Sequence, residues 1–191
     1  AKQTSYTALF EKVKSAGADC VFFGGIYDNN GGALMKDAVA VLGDNATFTK
    51  MAPDGFSGYP DLQGMPEAEG LWMSFAGKSL DGMVKAGGTA GKFVADYKAK
   101  YGMDPTSSYS IYGASAMQVI LKAIAASDGT RKGVNAALLG GTEPVCLTDE
   151  ESITGVGFCI DPKTGDVDKK SVTIQNMTGG AETDRQVWDI Q

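Results

Sequence analysis

The chain has 191 residues, 43% of them hydrophobic, enough to bury the core of one domain or of one domain and part of another. Its 17 basic and 23 acidic residues give a net charge of −6, with no basic cluster longer than Lys169–Lys170, which excludes a nucleic-acid backbone as partner. Histidine is absent, and with it go Ser–His–Asp triads, His-ligated zinc and imidazole acid–base chemistry.

No apolar run approaches the roughly 20 residues of a membrane span. The first residues lack the charged and apolar regions of a signal peptide, although a removed leader would leave no trace. Tyr6, Leu9, Phe10, Val13 and Ala16 recur at helical spacing after a polar start at Thr4–Ser5, and Gly17 ends the pattern. A short buried strand, Cys20–Phe23, follows, with Cys20 as a small core residue. It runs into Gly24–Gly25, then Ile26–Tyr27–Asp28 and Asn29–Asn30–Gly31–Gly32. A helix carrying Leu34, Met35, Ala38, Val41 and Leu42 comes next and stops at Gly43. A strand passing through glycines into a helix start is how an open parallel sheet makes a ligand crevice. Thr47–Met51 predicts the next strand, with the turn Pro53–Asp54–Gly55 at its carboxyl end.

Helix, strand, helix, strand is the winding of a parallel sheet. A first helix of this kind normally crosses over from an earlier strand. None is seen before it, so either the domain starts with a helix or the chain begins partway through a larger fold.

Glu67–Ala68–Glu69–Gly70 reads as a polar entry to the strand Leu71–Phe75, in which Trp72 and Met73 are assigned to the core. Gly77 to Gly88 reads as a glycine-rich linker. Helices are predicted over Thr89–Tyr101 and Ser107–Ser127, separated by Gly102–Met103–Asp104–Pro105. The second presents Tyr112, Met117, Val119, Ile120, Ala123 and Ile124 on its apolar side. A further helix covers Gly133–Leu139, and Asp149–Glu151 reads as a solvated acidic loop. The tail reads as a β-meander: Gly157–Ile160, a turn at Pro162–Asp166, Ser171–Met177, a turn at Gly179–Gly180, and Val187–Ile190.

Three cysteines without a C-x-x-C pair argue against a thiolate metal site, and no metal or cofactor is expected. A bridge between Cys146 and Cys159 would be worth about 3 kcal/mol in the chain-entropy picture. The spacing leaves that bridge and two free thiols equally open; a bridge would point outside the cytoplasm.

Several of these residues recur in a familiar order. They run from Tyr6–Thr7–Ala8–Leu9 and Lys12, through Cys20–Val21–Phe22–Phe23–Gly24–Gly25, to Ala52–Pro53–Asp54–Gly55 and Glu67–Ala68–Glu69–Gly70–Leu71. Phe93, Tyr97, Tyr101–Gly102, Pro105 and Tyr112–Gly113–Ala114 come next, then Gly157–Phe158–Cys159–Ile160–Asp161 and Gly165–Asp166–Val167. The series resembles the periplasmic branched-chain (Leu/Ile/Val) amino-acid binding proteins of ABC transporters, the type I solute-binding fold. No single motif is specific, but the ordered series covers nearly the whole chain.

The resemblance implies an incomplete α/β fold, a three-layer parallel-sheet lobe with a C-terminal β-meander, matching the later part of that family's chain. Residues 1–75 correspond to the sheet of the second lobe without its first strand. Residues 76–145 correspond to helices that return to the first lobe, and 146–191 to strands that return to the second. It further implies an extracytoplasmic binding component, periplasmic or extracellular and lipid-anchored at full length, that hands an amino acid to a membrane permease. The missing N-terminal lobe or another chain would complete it.

In such a site a carboxylate holds the ligand ammonium, because an unpaired buried charge costs about 3–5 kcal/mol. Asp54 matches the acidic residue of the family's Pro–acid–Gly turn, although Pro–Asp–Gly is also a common turn that Asp54 simply caps. Gly25 and Ile26 line the crevice where the family has an aromatic after the double glycine; Tyr27 lines it or points away, and Asp28 reads as a helix cap, with contact to the ligand as the alternative. The family's donors to the ligand carboxylate lie in the first lobe, so the chain alone is expected to bind weakly or not at all. A ligand-sensing receptor of the same fold is one alternative. An enzyme on a Rossmann or flavodoxin-like sheet is another, disfavoured by the lack of G-x-G-x-x-G and of a phosphate-loop lysine.

Overall fold

The computed structural model describes residues 4–190. In chain order the elements are α1 (Thr7–Ser15), β1 (Cys20–Phe22), α2 (Gly31–Leu42), β2 (Thr49–Ala52) and β3 (Trp72–Ala76). Then come α3 (Leu80–Ala86), α4 (Thr89–Tyr101), α5 (Tyr109–Ala125) and α6 (Arg131–Leu138). The last four are β4 (Val145–Leu147), β5 (Phe158–Ile160), β6 (Lys170–Thr178) and β7 (Ala181–Ile190). Two short 3-10 turns, Asp54–Phe56 and Pro66–Ala68, lie between β2 and β3. The chain divides into two compact units, residues 1–77 with 172–188 and residues 78–171 with 189–191.

The first unit is built on a five-stranded sheet in the order β1-β2-β3-β6-β7. β1, β2 and β3 are parallel, in the register Val21 opposite Lys50 and Met51 opposite Trp72, as crossover through α2 requires. β6 then joins β3 antiparallel, so the sheet is mixed. Phe10 of α1, Met35 and Ala38 of α2, and Phe23, Ala52, Phe56, Leu71 and Met73 close a continuous apolar core. Polar ties hold the connections around it. Asp37 of α2 accepts hydrogen bonds from the Tyr6 N–H at 2.6 Å and the Ser5 hydroxyl at 2.9 Å, which hold its carboxyl below the usual range. Lys50 is fully buried, and its ammonium donates to the carbonyls of Gly43 at 2.7 Å, Phe48 at 3.0 Å and Asp44 at 3.2 Å. Burial pushes its pKa down from the usual lysine value, with the Asp44 charge opposing.

In the second unit, α3, α4 and α5 share a core of Leu80, Met83, Ala90 and Ile111. The hydroxyls of Ser79 and Thr130 cap α3 and α6, accepting from the N–H of Gly82 and Gly133. β4 and β5 form a separate two-stranded antiparallel sheet, with Cys146 directly opposite Cys159 and a disulfide joining them.

Several local expectations are corrected. Cys20 is exposed rather than buried, because β1 is a three-residue strand at the sheet's end. Trp72 faces out while Met73 and Phe75 face in, as strand alternation demands. The stretch 77–88 is not a plain linker: the Ser79 cap starts α3 within it. Along α5 the buried stripe is Ile111, Ser115, Val119 and Ala123, leaving Met117, Ile120 and Ile124 exposed. The packed face of that helix therefore mixes Ile111 and Val119 with the small Ser115 and Ala123.

The tail is not one meander. β5 pairs with β4, an element absent from the sequence reading, while β6 and β7 extend the main sheet. The run 149–151 is a solvated turn as read, with Glu151 paired to Lys122 at 2.7 Å and Asp149 accepting from the Gly157 N–H at 2.6 Å.

The cross-strand disulfide closes a chain separation of 13 residues. Replacing both Cys146 and Cys159 with serine should cost about 3 kcal/mol of stability. Thermal melts of the wild type with and without reductant, against the double variant, check this; melts that coincide in all three cases would refute it.

Candidate functional site

In an open sheet the carboxyl ends of adjacent parallel strands bound the ligand crevice. Here the loop after β1 (24–30) and the turn after β2 (53–58) meet at that place, both within the first unit. The Phe23 N–H still donates to Met51 O at 2.8 Å, extending the ladder, and the Tyr27 N–H donates to Gly55 O at 2.9 Å, joining loop to turn. The approach is close: a Cβ on Gly55 would stand 2.8 Å from Gly25 O and 2.8 Å from Ile26 Cγ2. Glycine at position 55 is therefore a condition for the two walls to touch.

The four candidate residues occupy different places in this rim. Gly25 is exposed, with nothing near the position of a Cβ. Ile26 is 48% exposed and offers an apolar wall at the crevice edge. Asp54 opens the 3-10 turn half-buried, and its carbonyl accepts from the Ser57 N–H at 2.9 Å. These three lie together because Gly55, next to Asp54, abuts Gly25 and Ile26.

Tyr27 turns away beneath the start of α2. Its ring packs at 5.8 Å from Phe56 and 4.8 Å from Tyr59, and a Cβ on Gly31 would stand 2.5 Å from its Cδ2. The ring thus occupies the space under the first turn of α2, and the Gly31 N–H already donates to Tyr27 O at 2.7 Å. Tyr27 supports the loop, and burial raises the pKa of its hydroxyl.

Asp28 does not cap α2. Asn30 holds the cap position in a left-handed conformation, and Asp28 accepts instead from the Tyr59 hydroxyl at 2.8 Å. Sequence reasoning also missed the residues that brace the second wall. Glu182 of β7 accepts from the Ser57 hydroxyl and from the Gly58 N–H, each at 2.6 Å. Glu69 accepts from the N–H of Gly179 at 3.0 Å and Gly180 at 3.2 Å, fixing the β6–β7 turn. Partners more than 100 residues apart leave no local signal.

Two cavities differ in character. One of about 420 Å³ opens between α1 and β1 and reaches Gly25 and Ile26. The other, about 660 Å³, lies within the second unit among Met83, Tyr112, Val119, Ile120, Phe158 and Ile160. At its rim Lys78 is paired with Asp189 at 3.1 Å and Lys170 with Asp166 at 2.5 Å, and the Tyr112 hydroxyl donates to Lys78 O at 3.0 Å. Its walls are mainly aliphatic and aromatic, with Ser115, Thr154, Lys169 and Ser171 also in the lining. Among the described residues, no group of His, Cys, Asp or Glu is arranged to hold a metal ion. Nor is any helix there long and apolar enough to cross a membrane.

Two outcomes follow from the rim. Gly55→Ala should destabilise the first unit by about 1–3 kcal/mol through overpacking. It should also speed hydrogen exchange at the Tyr27 amide; unchanged exchange there would show that the contact does not hold the walls together. The Tyr59 hydroxyl has its pKa raised, chiefly by its hydrogen bond to Asp28. Its folded value then exceeds the unfolded one of about 10, so its contribution is present below that pH and lost as pH climbs through the folded value. Ultraviolet titration should find late phenolates from Tyr27, Tyr59 and Tyr112, and Asp28→Asn should move the Tyr59 one back toward the ordinary tyrosine range.

Comparison with known proteins bears on the whole chain. Residues 1–151 match the family described as periplasmic binding protein. No curated protein matches. Among solved structures, the chain is similar to a leucine binding protein, LivK, from Thermotoga maritima: TM-score 0.72 at 23% identity, over 97% of this chain and 49% of that one. It is also similar to an ABC-transporter solute binding protein from Rhodopseudomonas palustris BisB5 in complex with 3,4-dihydroxybenzoic acid: TM-score 0.65, 19% identity, 97% and 49% covered. A substrate-binding protein from Desulfitobacterium hafniense in complex with Leu gives a TM-score of 0.58 at 19% identity, over 94% and 47%. The chain spans about half the length of these relatives. It belongs to the periplasmic binding protein family, a binding rather than catalytic family of the extracytoplasmic space, and carries half of the type I solute-binding fold.

Proposed function

We propose that the chain forms one jaw of the substrate-binding component of an ABC transporter, and that the rim at the carboxyl ends of β1 and β2 takes an aliphatic amino acid. One observation carries this reading: a carboxylate-bearing turn, Asp54–Phe56, sits against the exposed, apolar Gly25–Ile26 loop at the ends of adjacent parallel strands. A zwitterion brings an ammonium and an apolar side chain to its site. Asp54 pairs with the ammonium, and Ile26 supplies wall for the side chain. Solved relatives hold leucine in one case and a dihydroxybenzoic acid in another, so the fold alone does not choose the solute. Asp54 does: an aromatic acid has no ammonium to offer, and its carboxylate is repelled by a second one.

The donors for the ligand carboxylate belong to the opposing jaw, and the permease is the partner that receives the solute. A lipid anchor at full length would keep the protein beside that permease.

Calorimetry on the intact protein, titrated with leucine, isoleucine, valine and 4-hydroxybenzoate, tests the assignment. Asp54→Asn should weaken leucine binding roughly 30- to 100-fold, about 2–3 kcal/mol, and Ile26→Ala roughly tenfold. Leucine affinity that survives Asp54→Asn, or selective binding of 4-hydroxybenzoate by the wild type, would overturn the role given to Asp54.

A further inference from the structure

The turn that carries Asp54 is attached at three points, all within the first unit. Its Phe56 ring is buried and stacks on Phe23 at 6.1 Å. Gly55 O accepts from the Tyr27 N–H at 2.9 Å, which ties the middle of the turn to the opposite wall. The third attachment comes from the other end of the chain. The two carboxylate oxygens of Glu182, on β7, accept from the Ser57 hydroxyl and from the Gly58 N–H, each at 2.6 Å.

This third attachment acts where the turn is weakest. The turn closes through two backbone bonds, Phe56 N–H to Pro53 O at 3.0 Å and Ser57 N–H to Asp54 O at 2.9 Å. Such 3-10 bonds have poorer geometry than those of an α-helix and hold only a short segment. Ser57 is already extended, at φ −79° and ψ 145°, and Gly58 follows in the left-handed region at φ +81°. Ser57 is therefore the link between two carboxylate residues: its N–H bonds to Asp54 O and its hydroxyl to Glu182. Gln175 Oε1 lies 3.4 Å from the same hydroxyl, a distance too long to replace a 2.6 Å bond to a charged acceptor.

We propose that Glu182 is a positioning residue for the solute site: by holding Ser57 and Gly58 it sets where the Asp54 carboxylate stands, and it touches no ligand itself. The inference rests on the reading of Asp54 as the partner of the ligand ammonium. A binding group works only when its support holds it within about 0.5 Å of the productive place. The short bonds of the turn do not supply that precision at its trailing end, and Glu182 does. What matters in Glu182 is its pair of acceptors rather than its charge.

Calorimetry with leucine on the intact protein tests this. Glu182→Ala should weaken binding roughly tenfold, the loss expected when hydrogen bonds to a charged group are removed. Glu182→Gln should stay within about threefold of wild type, because its carbonyl still accepts from the Gly58 N–H and its amide donates to the Ser57 hydroxyl oxygen. In an Asp54→Asn background, Glu182→Ala should change affinity by less than about twofold, since both substitutions remove the same interaction. Without ligand, the Ser57 and Gly58 amides of Glu182→Ala should exchange at least about tenfold faster while the Met73 amide of β3 keeps its rate, as local opening requires. Leucine affinity that survives Asp54→Asn overturns the role of Asp54 and this proposal with it. Affinity lowered by Asp54→Asn but untouched by Glu182→Ala overturns this proposal alone. Equal losses with Gln and Ala at position 182, additive losses in the double variant, or Met73 exchange that rises with that of Ser57 do the same.

Discussion

The first unit depends on one close contact, the seating of Gly55 against Gly25 and Ile26 with the Tyr27 N–H bonded to Gly55 O. Parallel strands align the starts of the loops that leave them but do not make those loops touch. The hydrogen bond and the missing side chain at position 55 do so. Beneath the rim, Phe10, Phe23, Phe56, Tyr27 and Tyr59 form a chain of ring contacts at 4.8–6.1 Å. These rings make the loop region part of the core.

Buried and half-buried polar groups extend this rigidity outward. Lys50 spends its three donors on carbonyls at the end of α2 and the start of β2, which keeps a charge tolerable in a fully buried place. Asn45 donates to the carbonyls of Glu67 and Glu69, and the Glu69 carboxylate clasps the β6–β7 turn. β7 returns the favour through Glu182, which holds the turn after Asp54. The last strands thus brace the crevice wall although they contribute no residue to its proposed lining.

Both units carry apolar surface that a finished core would cover. In the first it lies along α1 and the β1 edge; in the second it is the outer face of α5, where Met117, Ile120, Leu121 and Ile124 are exposed. Contiguous apolar surface of this kind marks an interaction face. It agrees with a chain that spans about half the length of its solved relatives.

The α/β winding, the crevice after Gly24–Gly25 and the Pro53–Asp54–Gly55 turn were legible in the sequence. Local chemistry decides them: hydrophobic period, glycine placement and the sterics of proline. Family membership was legible in the order of many weak motifs. The burial of Cys20 and Trp72 was misread, because exposure depends on a strand's place in its sheet and on which face it turns inward, neither of which a local run encodes. The buried stripe of α5 was misread because its neighbours, and not its own largest residues, choose the packed face. The bonding of Asp28 to Tyr59, of Glu69 to the β6–β7 turn and of Glu182 to the Asp54 turn was decided only by the tertiary structure. Each joins residues 31 to 125 positions apart, and a hydrogen bond across such a separation exists only once the sheet has brought its ends together.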